Sequence, residues 1–267
     1  MFKSIKKYLD LYALLFGARV QVLFAFRLNA FVHFFYGPAY MIVLFFVQQL
    51  AYQRAPELGG WNREEATLLI GLCFFLYTVA FIFYIIGFRS FLWQGLREGV
   101  LDQYLTKPVF PLFFIAWGKP DIAQFPLLVM TLLVLVRQLG IFSTQISFAD
   151  TGLALLSCVL GLAVHYFALS TYSSLAFFMT RAEQVLELFD KISDSGQYPT
   201  HIFPESLQFV LIAVVPVAFL GYVPTMFLLG QRPWYLFAAE CLLFVFFYWL
   251  NSFSWKYGLK QYTSVSS

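Results

Sequence analysis

The chain of 267 residues is 61% hydrophobic and only 12% charged, with 34 Phe and 16 Tyr, and its mean hydropathy is +0.75. A soluble domain carries about 45–50% apolar and about 25% charged residues, so this chain cannot cover itself with a wetted surface and reads as an all-α membrane protein; disordered, collagen-like and disulfide-scaffold classes are excluded by the same figures. The net charge of +3, from 17 basic and 14 acidic residues, is too small to point to nucleic acid.

Residues 1–18 place Phe2, Ile5, Leu9, Tyr12 and Phe16 three or four apart, with Lys3, Lys6, Lys7 and Asp10 on the other side. That spacing predicts an amphipathic helix lying in the lipid interface. Leu11 to Gly17 is short for a secretory core, and Arg19 follows with no small-residue cleavage site, so no processing is expected.

A bilayer core of about 30 Å needs roughly 20 apolar residues at about 1.5 Å each. Stretches free of Asp, Glu, Lys and Arg place spans at 28–52, 66–88, 152–179 and 206–220, and a fifth at 233–255 holds Glu240 alone. The remaining span is weaker. Ile122 to Val136 is apolar but short, so it is extended backwards through Lys119, Pro120 and Asp121 to give 113–137, with Lys119 and Asp121 as an interfacial pair at a kinked start.

Six spans put both termini on one side. With the termini inside, the inner share of basic residues is Lys3, Lys6, Lys7, Arg19, Arg27, Arg89, Arg97, Lys107, Lys119, Arg181, Lys191, Lys256 and Lys260, which leaves Arg54, Arg63, Arg137 and Arg232 outside. Lys and Arg accumulate in cytoplasmic loops, so the asymmetry fixes the expected orientation and supports the weak third span.

Two inner segments are long. Residues 89–111 carry Leu96, Val100, Leu101, Tyr104 and Leu105 at helical spacing before Pro108 and Pro111, a short amphipathic helix on the inner face. Residues 181–204 pair Val185, Leu186 and Phe189 with Glu183, Glu187, Asp190 and Lys191, then break at Ser195, Gly196 and Pro199. They read as a second surface helix and a turn. After Ser206, Pro216, Gly221, Pro224 and Gly230 interrupt the run, so a crossing at 206–220 is followed by a re-entrant piece at 221–231, covered by other helices. The whole chain, 1–267, is taken as one domain.

Chemistry within the membrane is sparse. Cys73, Cys158 and Cys241 lie apart in apolar runs, and His33, His165 and His201 are scattered, so neither a metal site nor a hydrolase motif is read. No glycine-rich phosphate loop is present, so any ATP-driven work needs a partner. Glu240 is read as protonated or paired with Arg137 or Arg232, or alternatively as part of a substrate path or gate. His165, beside Tyr166, is read as a hydrogen-bonded packing residue or a pathway residue. Arg27 is placed for snorkelling to headgroups. Ser157 and Gly161, four apart, would permit close helix approach. Aromatic faces attract cations, but lipid-facing Phe and interfacial Tyr or Trp account for most of the rings.

After Arg97-Glu98, the run Gly99-Val100-Leu101-Asp102-Gln103-Tyr104-Leu105-Thr106-Lys107-Pro108 resembles the loop between spans two and three in permease subunits of bacterial type-two ATP-binding-cassette exporters, in a subfamily with the pattern Gly-x-Leu-Asp-x-x-Leu-x-x-Pro. Tyr198-Pro199-x-x-Ile202-Phe203-Pro204, Val215-Pro216-x-Ala218-Phe219 and Tyr222-x-Pro224 are similar to that subfamily's second signature. The resemblance implies a permease half in the inner membrane that pairs with a second permease subunit, identical or related, and with two cytosolic ATPase subunits carrying the ATP and Mg; this chain would bind no cofactor. It also implies that Leu96, Arg97, Glu98, Gly99, Val100, Leu101, Asp102, Tyr104 and Leu105 form the coupling helix that docks on the ATPase, and that short re-entrant helices precede the last span. Val100 stands where the family commonly has a small or hydroxylated residue. Small outer loops favour an exporter of an amphipathic molecule, such as a drug-like cation, a lipid or a lipid-linked glycan. A membrane-embedded transferase using Glu240 and His165, or an ATP-independent channel or scaffold, is the alternative.

Overall fold

The computed structural model describes residues 2–92, 99–144, 146–179 and 181–262. Its helices in chain order are α1 (Phe2–Ala25), α2 (Arg27–Arg54), α3 (Arg63–Ala80), α4 (Ile86–Ser90), α5 (Val100–Leu105), α6 (Pro111–Trp117), α7 (Phe125–Phe142), α8 (Phe148–Ser174), α9 (Ala182–Ser193), α10 (Glu205–Phe209), α11 (Tyr222–Leu228) and α12 (Trp234–Gln261). A π-turn at Phe81–Ile85 joins α3 to α4 as one rod. The rod starts on Asn62, whose side chain accepts from the backbone of Glu64 and Glu65 while Glu65 reaches back to the Asn62 amide, which satisfies the free donors of the first turn.

Strands β1 (Glu57–Leu58) and β2 (Trp61–Asn62) pair antiparallel. Gly59 and Gly60 both have positive φ, 58° and 71°, as a two-residue hairpin turn requires. This hairpin marks one end of the helix bundle and α5 marks the other.

Among the described residues, six helices are long and apolar enough to cross a membrane: Lys6–Ala25, Ala30–Arg54, Arg63–Ser90, Pro111–Phe142, Phe148–Phe177 and Trp234–Gln261. Contacts sort them further. α1 continues past the expected 1–18 to Ala25, yet its partners stay near the α5 end. Lys7 donates to the Pro108 carbonyl, Tyr8 meets Phe113, Tyr12 meets Phe83 and Trp117, and Phe16 meets Phe125. A ring every fourth residue is one face of a helix laid across the bundle.

α8 and α12 run side by side in the same direction. Asp150 meets Arg232, Ser157 meets Glu240, and Ser170 meets Trp255. Two consecutive long helices can be parallel only if the chain between them returns to the hairpin end. Residues 182–202 make that return along the α3–α4 rod. Asp190 pairs with Arg89; Ser193, Asp194 and Gln197 share a cavity with Cys73 and Tyr77; Gln197, Pro199 and Ile202 face Ala66 and Ile70; and His201 bonds the Gly59 carbonyl. The stretch expected on the inner surface thus runs the length of the bundle instead.

The following segment also differs from its expectation. Glu205–Val214 and Val217–Leu228 are bent by 71° at Val215 and Pro216, five residues before Gly221. From Ile202 at the hairpin the chain reaches Tyr172, whose hydroxyl donates to the Val214 carbonyl at 2.6 Å. It is back at the hairpin by Tyr222, which stacks on Trp61 at 5.6 Å. Its first leg spans about 15 Å at 1.5 Å per residue, half a bilayer. The whole excursion begins and ends at the hairpin. Its second leg is almost wholly buried, which lets irregular backbone sit at that depth. Gly161 admits it: a Cβ there would overlap the Phe219 carbonyl.

Candidate coupling and transport sites

α5 is capped by Gly99 in the left-handed region and pinned by its own apolar side chains. Leu101 is fully buried in the cluster that holds Phe88, Phe91 and Ile115. Tyr104 stacks on Phe114 at 5.4 Å, and the Lys107 ammonium lies 4.4 Å above the same Phe114 ring. Val100 is half-buried against Gly87, Phe91 and Ile115. Asp102, half-exposed, lies near the Tyr262 hydroxyl; burial first, and then this carboxylate, raise the tyrosine above its ordinary value. Leu105 is 45% exposed. The expected coupling set therefore divides by role. Leu101 is a rivet inside this chain and is not free to enter another protein, whereas Leu105 presents an apolar side chain outwards. Leu96, Arg97 and Glu98 lie outside the described residues.

Glu240 and His165 are both fully buried, on neighbouring helices but in separate polar contacts. Glu240 Oε2 accepts from Ser157 at 2.8 Å, and Oε1 has no partner among the described residues. Arg232, one of its two expected partners, is spent on Asp150, with Nε 2.7 Å and Nη2 3.3 Å from the carboxylate. His165 Nδ1 lies 2.9 Å from the Tyr84 hydroxyl, with Tyr77 and Phe189 around the ring, and its Nε2 is unpartnered among the described residues. The two residues are not brought into one site.

The comparison with protein families finds a match to the ABC-2 family transporter protein over residues 39–266. The chain belongs to the ABC-2 transporter family. It is a membrane permease subunit of an ABC transporter, with the apolar multi-pass architecture described above. No curated protein and no solved structure matches it.

The permease also has a polar site that sequence reasoning missed. The Arg89 guanidinium points back into the bundle, 2.7 Å from Asp190, 5.0 Å over the Phe81 ring and 3.4 Å from the Tyr77 hydroxyl. One helical turn beyond Asp190, Asp194 opens into a cavity of about 170 Å³ between α2, α3, the start of α7 and the turn after α9. Asp194 is the only charged residue among the described residues lining it. The sequence signal was available in principle: Asp190 and Asp194 are four apart, and Arg89 is a lone cation at the end of a charge-free run. It was masked because 182–202 is too polar to pass for a crossing.

Proposed function

We propose that this permease is half of an ATP-driven exporter, with the α5 end in the cytosol, and that it receives force from a cytosolic ATPase pair through α5. A second permease subunit completes the path, and ATP with Mg binds on the ATPase subunits. Six crossings at 27–54, 63–90, 111–142, 148–177, 182–202 and 234–261 keep both termini inside, with α1 in the inner interface and 205–228 re-entrant from the outside.

The observation that carries this reading is the division of labour in α5. Leu101 and Tyr104 fasten it to spans two and three, while Leu105 stands exposed. A short helix riveted at one face and apolar at the other is suited to a socket on a moving partner. The basic residues concentrate at that end of the bundle, as in cytoplasmic loops. The outer hairpin is too small to receive cargo from a binding protein, which favours export of an amphipathic molecule drawn from the membrane or its inner face.

The test is a substitution at the exposed leucine. Leu105→Asp should leave the permease monodisperse and as heat-stable as the wild type, yet abolish co-purification with the ATPase that accompanies the wild-type chain in its native membrane. Unchanged co-purification with Leu105→Asp would remove α5 from the coupling role.

A further inference from the structure

The Asp194 cavity has the chemistry of a cation site. We propose that it binds the ammonium head of a single-chain cationic amphiphile, with Asp194 as counter-charge and the rings of Tyr40, Phe74 and Tyr77 as walls. The inference rests on the export reading above and names the substrate class for it.

Three observations converge. First, Asp194 is exposed beside the cavity at a level that the proposed crossing 182–202 puts within the membrane, where a carboxylate is costly unless it meets a cation or water. Arg89 is paired with Asp190 at 2.7 Å and acts on Asp194 only as a more distant charge. Second, two residues of the lining already meet a cation: the Arg89 guanidinium lies 5.0 Å over the Phe81 ring and donates to the Tyr77 hydroxyl at 3.4 Å. Ring faces attract positive charge, most strongly where water is excluded. Third, the size is that of a head group. Pockets for whole drug-like molecules run to about 300–1,000 Å³, and this one has about 170 Å³.

The tail must therefore lie outside. The mouth runs past Tyr36 and Tyr40, both exposed on α2 among other exposed apolar residues such as Val43, so an alkyl chain leaving the cavity would rest on a lipid-facing surface. An anionic head is repelled by the same carboxylate, and a neutral head gains nothing from it.

The full-length permease in nanodiscs of zwitterionic lipid, without ATPase, is titrated with radiolabelled decyltrimethylammonium. Wild type should show saturable binding, and the uncharged tert-butyl isostere should fail to compete. Asp194→Asn should weaken binding by about tenfold or more, since it leaves the charge unmatched. Asp194→Glu should retain binding, and Tyr40→Leu should weaken it by about threefold. Equal competition by the isostere, unsaturable partitioning, or unchanged affinity in Asp194→Asn would overturn the proposal. So would an absence of binding to wild type together with dissociation of a dimer by Asp194→Asn, which would assign Asp194 to a basic group on a second copy. The isostere experiment uses wild type alone, so it decides even if Asp194→Asn misfolds. Binding needs no nucleotide, so its failure leaves the coupling assignment standing, and failed coupling leaves the binding result standing.

Discussion

The Ser157 hydroxyl donates to Glu240 at 2.8 Å across the parallel interface of α8 and α12, two residues 83 positions apart in the chain. Because this is the carboxyl's one donor among the described residues, Ser157→Ala is expected to cost about 1–3 kcal/mol, the usual penalty for orphaning a buried polar group. Glu240→Gln keeps an acceptor for Ser157 and should fold normally. Thermal unfolding of the detergent-solubilised variants measures both. Full transport by Glu240→Gln would confine the residue to packing.

A methyl group at position 161 has nowhere to go, since the Phe219 carbonyl occupies the space. Gly161→Ala should lower stability by about 1–3 kcal/mol, as overpacking does. Gly152, on the same helix with nothing near its missing Cβ, is the control and should tolerate alanine. Unfolding midpoints of the two variants should separate clearly.

Leu101 and Leu105 should respond oppositely to truncation. Leu101→Ala removes a fully buried side chain and is expected to cost about 2–5 kcal/mol. Leu105→Ala should stay within about 0.5 kcal/mol, as surface changes do. If both variants keep wild-type unfolding midpoints, Leu101 is not the rivet described above.

The return path of the chain predicts side-specific labelling. In a background lacking Cys73, Cys158 and Cys241, Glu57→Cys and Glu205→Cys should react with an impermeant maleimide from one face of the membrane. Lys107→Cys should react only from the other. Labelling of Glu205→Cys alongside Lys107→Cys would remove 182–202 from the set of crossings.

The Arg89–Asp190 pair should show strong coupling. Neutralising one partner of this half-buried pair strands the other charge, at about 1–3 kcal/mol. Arg89→Gln and Asp190→Asn should each destabilise by about that much, and the double variant should recover part of the loss. Simple additivity in a double-mutant cycle would show that the two charges do not depend on each other.

Legibility in the sequence followed the strength of the hydrophobic signal. The long helices α2, α3, α8 and α12 were readable because an apolar run of bilayer length, free or nearly free of charge, is at home in lipid and in little else. The α5 helix was readable from its periodicity and its terminating prolines, and Gly161 from its spacing to Ser157. The return of residues 182–202 along the α3–α4 rod was not. Residues 182–202 are polar because one face packs against Arg89, Tyr77 and the hairpin while Glu187, Lys191 and Asp194 stay exposed on the other, so the segment carries no continuous apolar run for a hydropathy window to find. Conversely, the apolar run after Ser206 looks like a crossing because α11 and the turn before it are buried in protein, an environment that a hydropathy window cannot tell from lipid. The partition of the α5 residues was hidden for a related reason: Leu101 and Leu105 carry the same side chain, and only the fold shows that one faces inward.

Gly87 lets the α3–α4 rod touch the backbone of α6 directly, since a Cβ there would overlap the Ile115 and Ala116 carbonyls, and Leu101 is seated in the same cluster as Phe88 and Ile115. Main chain against main chain leaves no compressible layer to absorb a displacement. In the coupling role proposed for α5, a thrust delivered to it would be shared between two rods at once, like a wedge driven at the joint of two beams, with little lost to side-chain give.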